Sequence, residues 1–401
     1  MCTGLALSVN KTNQEDRTSI VFARTMEFGV NIWGNMRYVP KGKKFQSYIY
    51  QNPENNETSA EYFEGMNWES KHAYVGPKLQ NIEPYKENSE RIVEGVNDSG
   101  LYVGLFLFPD YANYFTENDT IDRNNIIGEL DLADYLLGTF DNVDAIRDKL
   151  SSGIVKENGT TDGGTTVVSS YYKPLQQIPP VHFMVQEENG KAIVIEYVKD
   201  EQGGCKLNVY DNEWGVITNS PPFDWQKINL GNYANLSANN PEDSKYVIGQ
   251  GAGMLGLPGD FTPPSRFIRA YALRSTAITP TNTEDGIATA WNLIDNINIV
   301  RGNVRELSDA PSVGETCYDK KVDDIVKENE LCMYDVTQWT TVYDLKNRKY
   351  YFRTNNYPLI RVIDLNELIS KYSEQATEFP FYNETTQVVP YENVDSSFQP
   401  V

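Results

Sequence analysis

Histidine is nearly missing from this chain of 401 residues, which contains only His72 and His182. A histidine-built metal site or a serine–histidine–aspartate triad therefore has little to rest on. His182 lies in Pro179-Pro180-Val181-His182-Phe183-Met184-Val185, which predicts a strand and a packed core histidine; His72 falls in a polar loop. Cysteine is scarce too. Cys2, Cys205, Cys317 and Cys332 are too few for a disulfide scaffold, and no CxxC pair suggests zinc. Basic residues are outnumbered, 35 Lys and Arg against 56 Asp and Glu, for a net charge of −21. Nucleic acid is a poor partner for such a chain, because phosphates need clustered cations. The charge fits a solvated surface, and an anionic substrate would need a local cationic site. No apolar run approaches the roughly eighteen residues of a membrane-spanning helix. Nor does a basic stretch followed by an apolar one open the chain, so a cytoplasmic location is the default expectation.

What is present is ample core material: 40% hydrophobic and 12% aromatic residues. No internal repeat or Pro/Gly/Ser linker divides the chain, so one large domain over residues 2–372 is expected, followed by an acidic extension over 373–401. Strand signals dominate, mostly paired across turn residues. Thr3–Val9 and Ser19–Arg24 flank a polar turn from Asn10 to Arg17, and Ile92–Val96 and Leu101–Phe108 flank Asn97-Asp98-Ser99-Gly100. Val181–Gln186 and Lys191–Val198 flank Glu188-Asn189-Gly190, whose Asn-Gly pair suits a type I′ turn. Leu207–Tyr210 and Gly215–Thr218 flank Asp211-Asn212; Gln338–Leu345 and Lys349–Thr354 flank Asn347-Arg348; Ile360–Leu365 adds a further strand.

Helices are expected at Glu129–Leu137, at Asn142–Leu150 with Asn142 as N-cap, and from Asp224-Trp225 onward. Ser265–Ile278 places Phe267, Ala270, Tyr271 and Ile278 on one face, and Thr283–Ile297, capped by Thr283, repeats Ile287, Trp291 and Ile294. Hairpins near both ends with paired helices between them suggest antiparallel sheets covered by helices. Phe45–Tyr74, Asn235–Asp243 and Ser373–Val401 read as polar excursions, the last as an extended or partly disordered arm.

The residues that carry chemistry begin at the second position. Loss of Met1 would make Cys2 N-terminal, giving one residue a thiol nucleophile and an α-amine that titrates near pH 8. Such an amine can act as the base for its own thiol, and needs no histidine. Arg24 and Glu27 end the strand that pairs with that of Cys2. There they form either a surface ion pair or a site pair, in which Arg24 lowers the thiol pKa and Glu27 orients the α-ammonium. Asn219, before Ser220-Pro221, either closes an Asx turn or donates its amide to a developing oxyanion. Arg266 stands in the first turn of a helix, where the dipole disfavours a cation; it is either simply exposed there or a cationic contact of the site. The glycines before it do not make a phosphate loop, since no Gly-Lys-Ser/Thr follows.

Met1-Cys2-Thr3-Gly4, Phe22-Ala23-Arg24-Thr25-Met26-Glu27, Gly215-Val216-Ile217-Thr218-Asn219-Ser220-Pro221 and the stretch from Gly256 to Phe267 occur in the order and approximate spacing of the choloylglycine hydrolase family. So do Val300-Arg301-Gly302 and Thr337-Gln338-Trp339-Thr340. The chain resembles this family, which contains conjugated bile salt hydrolases and penicillin V acylases, over roughly residues 2–370. The resemblance implies an α+β, four-layer α/β/β/α N-terminal nucleophile (Ntn) hydrolase fold, with two stacked antiparallel sheets between helices. It implies Cys2 as nucleophile and base with Arg24 beside it, Asn219 at the oxyanion, and Arg266 in the charged site. No cofactor or metal is implied, and family members are commonly tetramers.

Two departures stand out. Glu27 replaces the family's usual Asp, and Leu107 stands where bile salt hydrolases carry Asn and penicillin V acylases typically Tyr. Leu donates no hydrogen bond from its side chain, so part of the oxyanion hole would fall to backbone N–H. The expected activity is hydrolysis of an N-acyl amide with a bulky apolar acyl group. Candidate walls are Phe28, Ile32, Trp33 and the residues from Phe106 to Tyr114, Leu107 among them. Glycine- or taurine-conjugated bile acids are the leading expected substrates; penicillin V and acyl-homoserine lactones are alternatives, as is a catalytically silent Ntn-fold protein that binds an amphipathic ligand.

Overall fold

Cys2–Val9 is apolar on both faces, as a strand sandwiched between two layers must be. It is β1, and it lies inside the first of two large antiparallel sheets in the computed structural model. The structure describes residues 1–10, 19–29, 33–51, 62–79, 91–116, 121–156, 159–171, 178–241, 250–300, 302–305, 334–355 and 357–381. The first sheet contains β1, β2 (Ser19–Phe28), β14 (Val216–Ile217), β15 (Val304–Arg305), β16 (Tyr334–Asp344), β17 (Lys349–Thr354) and β18 (Tyr357–Asp364). Its order is β14–β1–β2–β16–β17–β18, with β15 against β16.

The second sheet contains β3 (Trp33–Val39), β6 (Tyr74–Leu79), β7 (Glu94–Asn97), β8 (Tyr102–Leu107), β11 (Val181–Gln186), β12 (Ala192–Lys199), β13 (Cys205–Asp211) and β19 (Thr377–Phe379). Its order is β13–β12–β11–β8–β7–β6–β3–β19. Two small pairs complete the strands: β4 (Lys44–Tyr50) with β5 (Tyr62–Glu69), and the parallel β9 (Ile126–Gly128) with β10 (Thr166–Val168).

Helices cover the outer faces. α4 (Pro263–Thr276) and α5 (Thr283–Ile294) pack on the first sheet, and α1 (Leu132–Thr139) packs on β7 and β8 of the second. α2 (Val143–Ser151), α3 (Phe223–Leu230) and α6 (Leu365–Tyr372) are the remaining described α-helices. The layers run α/β/β/α, as the resemblance implied. Where β1 crosses β8 the sheets approach closely. A Cβ on Gly4 would lie 2.7 Å from the Phe22 ring and 3.1 Å from that of Phe106. No helix among the described residues is long and apolar enough to cross a membrane.

Most expected elements form, with Asn142 capping α2 through the Ala145 amide. The differences are local in origin. Leu207–Tyr210 and Gly215–Thr218 belong to different sheets: β13 pairs with β12, whereas β14 pairs with β1. The turn between them redirects the chain, with Asn212 accepting from the Gly215 amide and donating to the Val216 carbonyl, and Gly215 at φ +61°. The Phe45–Tyr74 stretch, expected as an excursion, contains the β4–β5 hairpin. Phe45, Ile49 and Met66 are buried and Phe45 stacks on Trp68; its polar middle, 52–61, lies outside the described residues.

Part of the expected arm also joins the fold. Thr377–Phe379 pair with β3, and Phe381 is buried against Trp339 and Phe352. Residues 382–401 lie outside the description, as do 11–18 of the first expected turn and 242–243 at the end of the second excursion. Asn282, not Thr283, caps α5. Ile278 falls beyond the end of α4 and is 92% exposed. The strand expected over Ile360–Leu365 forms within β18 and ends one residue earlier, where Asp364 accepts from the Asn366 and Glu367 amides and starts α6.

Candidate active site

Strand register decides which side chains meet at Cys2. In the β1–β2 ladder Cys2 faces Met26 and Gly4 faces Arg24. Side chains alternate along a strand, so Cys2, Met26 and Arg24 share the face turned toward the second sheet, while Thr3 and Glu27 share the face turned toward the helices. Cys2 is fully buried. Its Sγ lies 3.4 Å from the Met26 Sδ and 3.5 Å from the Arg24 Nη2.

Arg24 is buried and fixed in several ways. Nη2 donates to the Leu105 carbonyl at 2.5 Å, the guanidinium lies 4.3 Å over the Phe106 ring, and Nη1 is 3.5 Å from the Glu94 Oε2. Burial opposes the charge, but Glu94, Tyr102 and Cys2 together outweigh it and hold the guanidinium more firmly protonated than a free arginine. A permanent cation therefore stands against the thiol.

Glu27 is equally buried on the other face. Its Oε1 accepts from Thr337 Oγ1 at 2.9 Å; its Oε2 has no hydrogen-bond partner among the described residues. Thr337 Oγ1 in turn accepts from the Ile299 amide. Burial pushes the Glu27 pKa up, offset in part by the positive charges of Arg266 and the chain's amino terminus. Its backbone pairs with Met1, whose amine donates to the Glu27 carbonyl at 2.5 Å and whose carbonyl accepts from the Glu27 amide at 2.8 Å.

Asn219 follows β14 and comes within reach because β14 is the edge neighbour of β1. Its Oδ1 accepts from the Cys2 amide at 2.8 Å and from Arg266 Nη2 at 2.7 Å, so it does not close an Asx turn. These two donors fix the amide orientation and turn Nδ2 toward β8, where it donates to the Leu107 carbonyl at 2.7 Å. An amide nitrogen carries a second hydrogen, which makes Asn219 a fixed donor beside the thiol.

Arg266 is fully buried, not exposed. α4 begins with two prolines, and its first turn points the guanidinium at β1, where Nη1 donates to the Cys2 carbonyl at 2.6 Å and Thr3 Oγ1 at 2.5 Å. Nε donates to the Phe261 carbonyl. Arg266 thus clamps the Cys2 carbonyl and orients Asn219 without touching the thiol. Burial lowers its pKa, with Glu27 and Cys2 opposing.

The expected walls fare unevenly. Leu107 and Phe28 are half-buried at strand ends by the site. Phe106 and Phe108 are fully buried: the first lies beneath Arg24, the second stacks on His182 at 4.4 Å, so neither is an acyl wall. Tyr114 is spent on the Pro179 and Val181 carbonyls. Ile32 and the side chain of Trp33 lie outside the description. His182 is a core residue, held by Glu196 at 3.0 Å and the Thr218 carbonyl at 3.1 Å.

Sequence reading passed over Glu94, whose Oε1 accepts from Trp339 Nε1 at 2.7 Å and whose Oε2 accepts from Tyr102 at 3.2 Å. The available signal was a lone acid inside an otherwise apolar strand. Thr337 and Trp339 were noted only as part of a matching stretch.

The family model for linear amide C–N hydrolases of the choloylglycine hydrolase family matches residues 2–324. The chain belongs to that family. Among its relatives, the bile salt hydrolase/transferase of Clostridium perfringens is 29% identical over 282 residues, covering 68% of this chain and 72% of that one. An uncharacterized protein of Paramecium bursaria Chlorella virus 1 is 26% identical and spans 89% of this chain and 98% of its own. Among solved structures, a mutant of the conjugated bile acid hydrolase from Clostridium perfringens superimposes with a TM-score of 0.69 at 26% identity, covering 98% of this chain and 100% of that one. The penicillin V acylase of Agrobacterium tumefaciens shares the fold, with a TM-score of 0.62 at 19% identity over 97% of this chain and 94% of that one. As a family member the chain is a linear amide hydrolase with a small-molecule substrate.

Proposed function

We propose that Cys2 is the nucleophile of this choloylglycine hydrolase family member, and that it acts once Met1 has been removed. The observation that carries the reading is the convergence at one residue: Arg24 stands 3.5 Å from its Sγ, and Asn219 and Arg266 hold its backbone. With Met1 attached, the Cys2 nitrogen is an amide and no base. Once freed, the α-amine keeps Asn219 Oδ1 as one acceptor, and Glu27, buried with an unused oxygen, is the nearby counter-charge.

The α-amine takes the thiol proton, and sulfur attacks the substrate carbonyl. The C–N bond breaks as the ammonium returns that proton to the leaving amine, and an acyl-thioester remains. Water then attacks, giving one proton to the α-amine; the C–S bond breaks, the acid leaves and the thiol is restored. Asn219 Nδ2 and a backbone N–H carry the oxyanion in both steps.

The leading substrates are bile acids conjugated to glycine or taurine. Support comes from the relatives that carry that name and from the match of the Gly256–Phe267 stretch. Leu107 favours a second reading, penicillin V or an acyl-homoserine lactone, because its side chain supplies no hydrogen bond where bile salt hydrolases have Asn. A panel of glycocholate, taurocholate, penicillin V and long-chain acyl-homoserine lactones separates these, with mass spectrometry of the amino terminus and of a Cys2 acyl adduct. Retained Met1 would refute the mechanism and favour a silent ligand-binding protein, whereas full activity in Cys2→Ser would refute Cys2 as the nucleophile.

A further inference from the structure

The β-bulge in β16 gives the nucleophile support on two sides from one strand. Thr337 pairs with Glu27, but Trp339 pairs with Met26, so Gln338 is an extra residue in the ladder. Residues two apart would ordinarily share a face. The bulge breaks that phase, and Gln338 ties it down by donating to the Phe28 carbonyl and accepting from the Asn355 amide. Thr337 therefore reaches Glu27 on the helix side, while Trp339 turns toward the second sheet and donates to Glu94. Glu94, Trp339, Tyr102 and Arg24 are all fully buried, forming a closed polar group directly behind the thiol.

We propose that Glu94 is a positioning residue whose carboxylate moderates the charge that Arg24 presents to Cys2, with Trp339 holding that carboxylate back. The geometry is specific on this point. Glu94 approaches Arg24 through Nη1 at 3.5 Å, while Arg24 turns Nη2 to the thiol and to the Leu105 carbonyl. Trp339 and Tyr102 donate to the carboxylate, which restrains it from closing into a tight ion pair. Arg24 has two other anchors, Leu105 and Phe106, so it keeps its place when Glu94 loses its charge. The inference rests on Cys2 being the nucleophile, and its test reads the thiol without any substrate.

The rate of Cys2 alkylation by iodoacetamide is measured against pH in the mature protein. In Glu94→Gln, which keeps an acceptor for Trp339, the uncompensated guanidinium moves the acid limb of the profile down by about one pH unit. In Trp339→Phe the released carboxylate closes on Arg24 and moves the limb up. Circular dichroism checks that each variant is folded. A general loosening of the core would move both limbs the same way or neither, and either result overturns the proposal. If Glu94→Gln does not fold, Trp339→Phe decides alone: an unmoved or lowered limb refutes it. Failure of Cys2 in the parent protein to react at all would instead overturn the nucleophile assignment.

Discussion

Replacing Asn219 by Asp tests the oxyanion assignment with little change of shape. The Asp oxygen can still accept from the Cys2 nitrogen and from Arg266, the contacts now made at 2.8 and 2.7 Å. What disappears is the donor at Nδ2, and an oxygen then faces the Leu107 carbonyl in place of a 2.7 Å hydrogen bond. The anchorage of Cys2 survives, while on the proposed mechanism the transition-state charge loses its side-chain donor and faces a carboxylate oxygen instead. Removal of one such donor typically lowers kcat by about 100- to 1,000-fold, or about 2.7–4 kcal/mol. On the proposed mechanism this donor acts on the transition state, so the expected loss falls on kcat and KM changes little. Steady-state kinetics on whichever amide the panel identifies give both constants, and thermal unfolding guards against a folding defect. A folded Asn219→Asp protein within threefold of the parental kcat would show that the oxyanion is stabilised elsewhere, and the backbone N–H near Leu107 would have to carry it.

Arg266→Lys keeps the charge but cannot span the Cys2 and Phe261 carbonyls, Thr3 and Asn219 at once. It should lower stability by about 3 kcal/mol and kcat by at least about tenfold, read by denaturant melts and kinetics. Gly4→Ala should cost about 1–3 kcal/mol in the same melts, because its methyl meets the Phe22 and Phe106 rings. Asp134, buried with Tyr74 and the Ile92 amide as donors, has its pKa pushed up to about 7 by burial. The folded state then holds a proton that the unfolded chain releases near pH 4, so this contribution to stability is full below about pH 4 and is lost as the pH rises to about 7. Urea midpoints measured across that window should fall with pH less steeply in Asp134→Asn than in the parent; equal slopes would contradict the shift.

The hairpins and the neighbourhood of Cys2 were legible because each rests on local chemistry: alternation along β1 and β2, an Asn-Gly turn, a glycine-rich entry to a helix with Arg266 behind it. What could not be read was which sheet edge a strand joins. Gly215–Thr218 looked like the return of a hairpin, yet it crosses to β1, and only that crossing brings Asn219 to Cys2. Arg266 could be suspected as part of the site, but its clamp on the Cys2 carbonyl depends on how α4 docks. The β4–β5 hairpin was hidden by the polar residues at its centre, whose bias outweighed the alternation of Phe45, Ser47 and Ile49. Glu94 was invisible for a different reason. A buried acid acquires meaning from partners at positions 24, 102 and 339, and no spacing announces them.

The backbone pairing of Met1 with Glu27 bears on maturation itself. Those two hydrogen bonds are the final rung of the β1–β2 ladder, one residue past Cys2. On the proposed mechanism, cutting the Met1–Cys2 bond does more than uncover a base. It also strips the Glu27 amide of its acceptor and clears the space Met1 occupied. On that mechanism Met1 holds the strand end closed until it is removed. Its departure would then leave a free amine on β1 and an unpaired Glu27 N–H on the neighbouring β2.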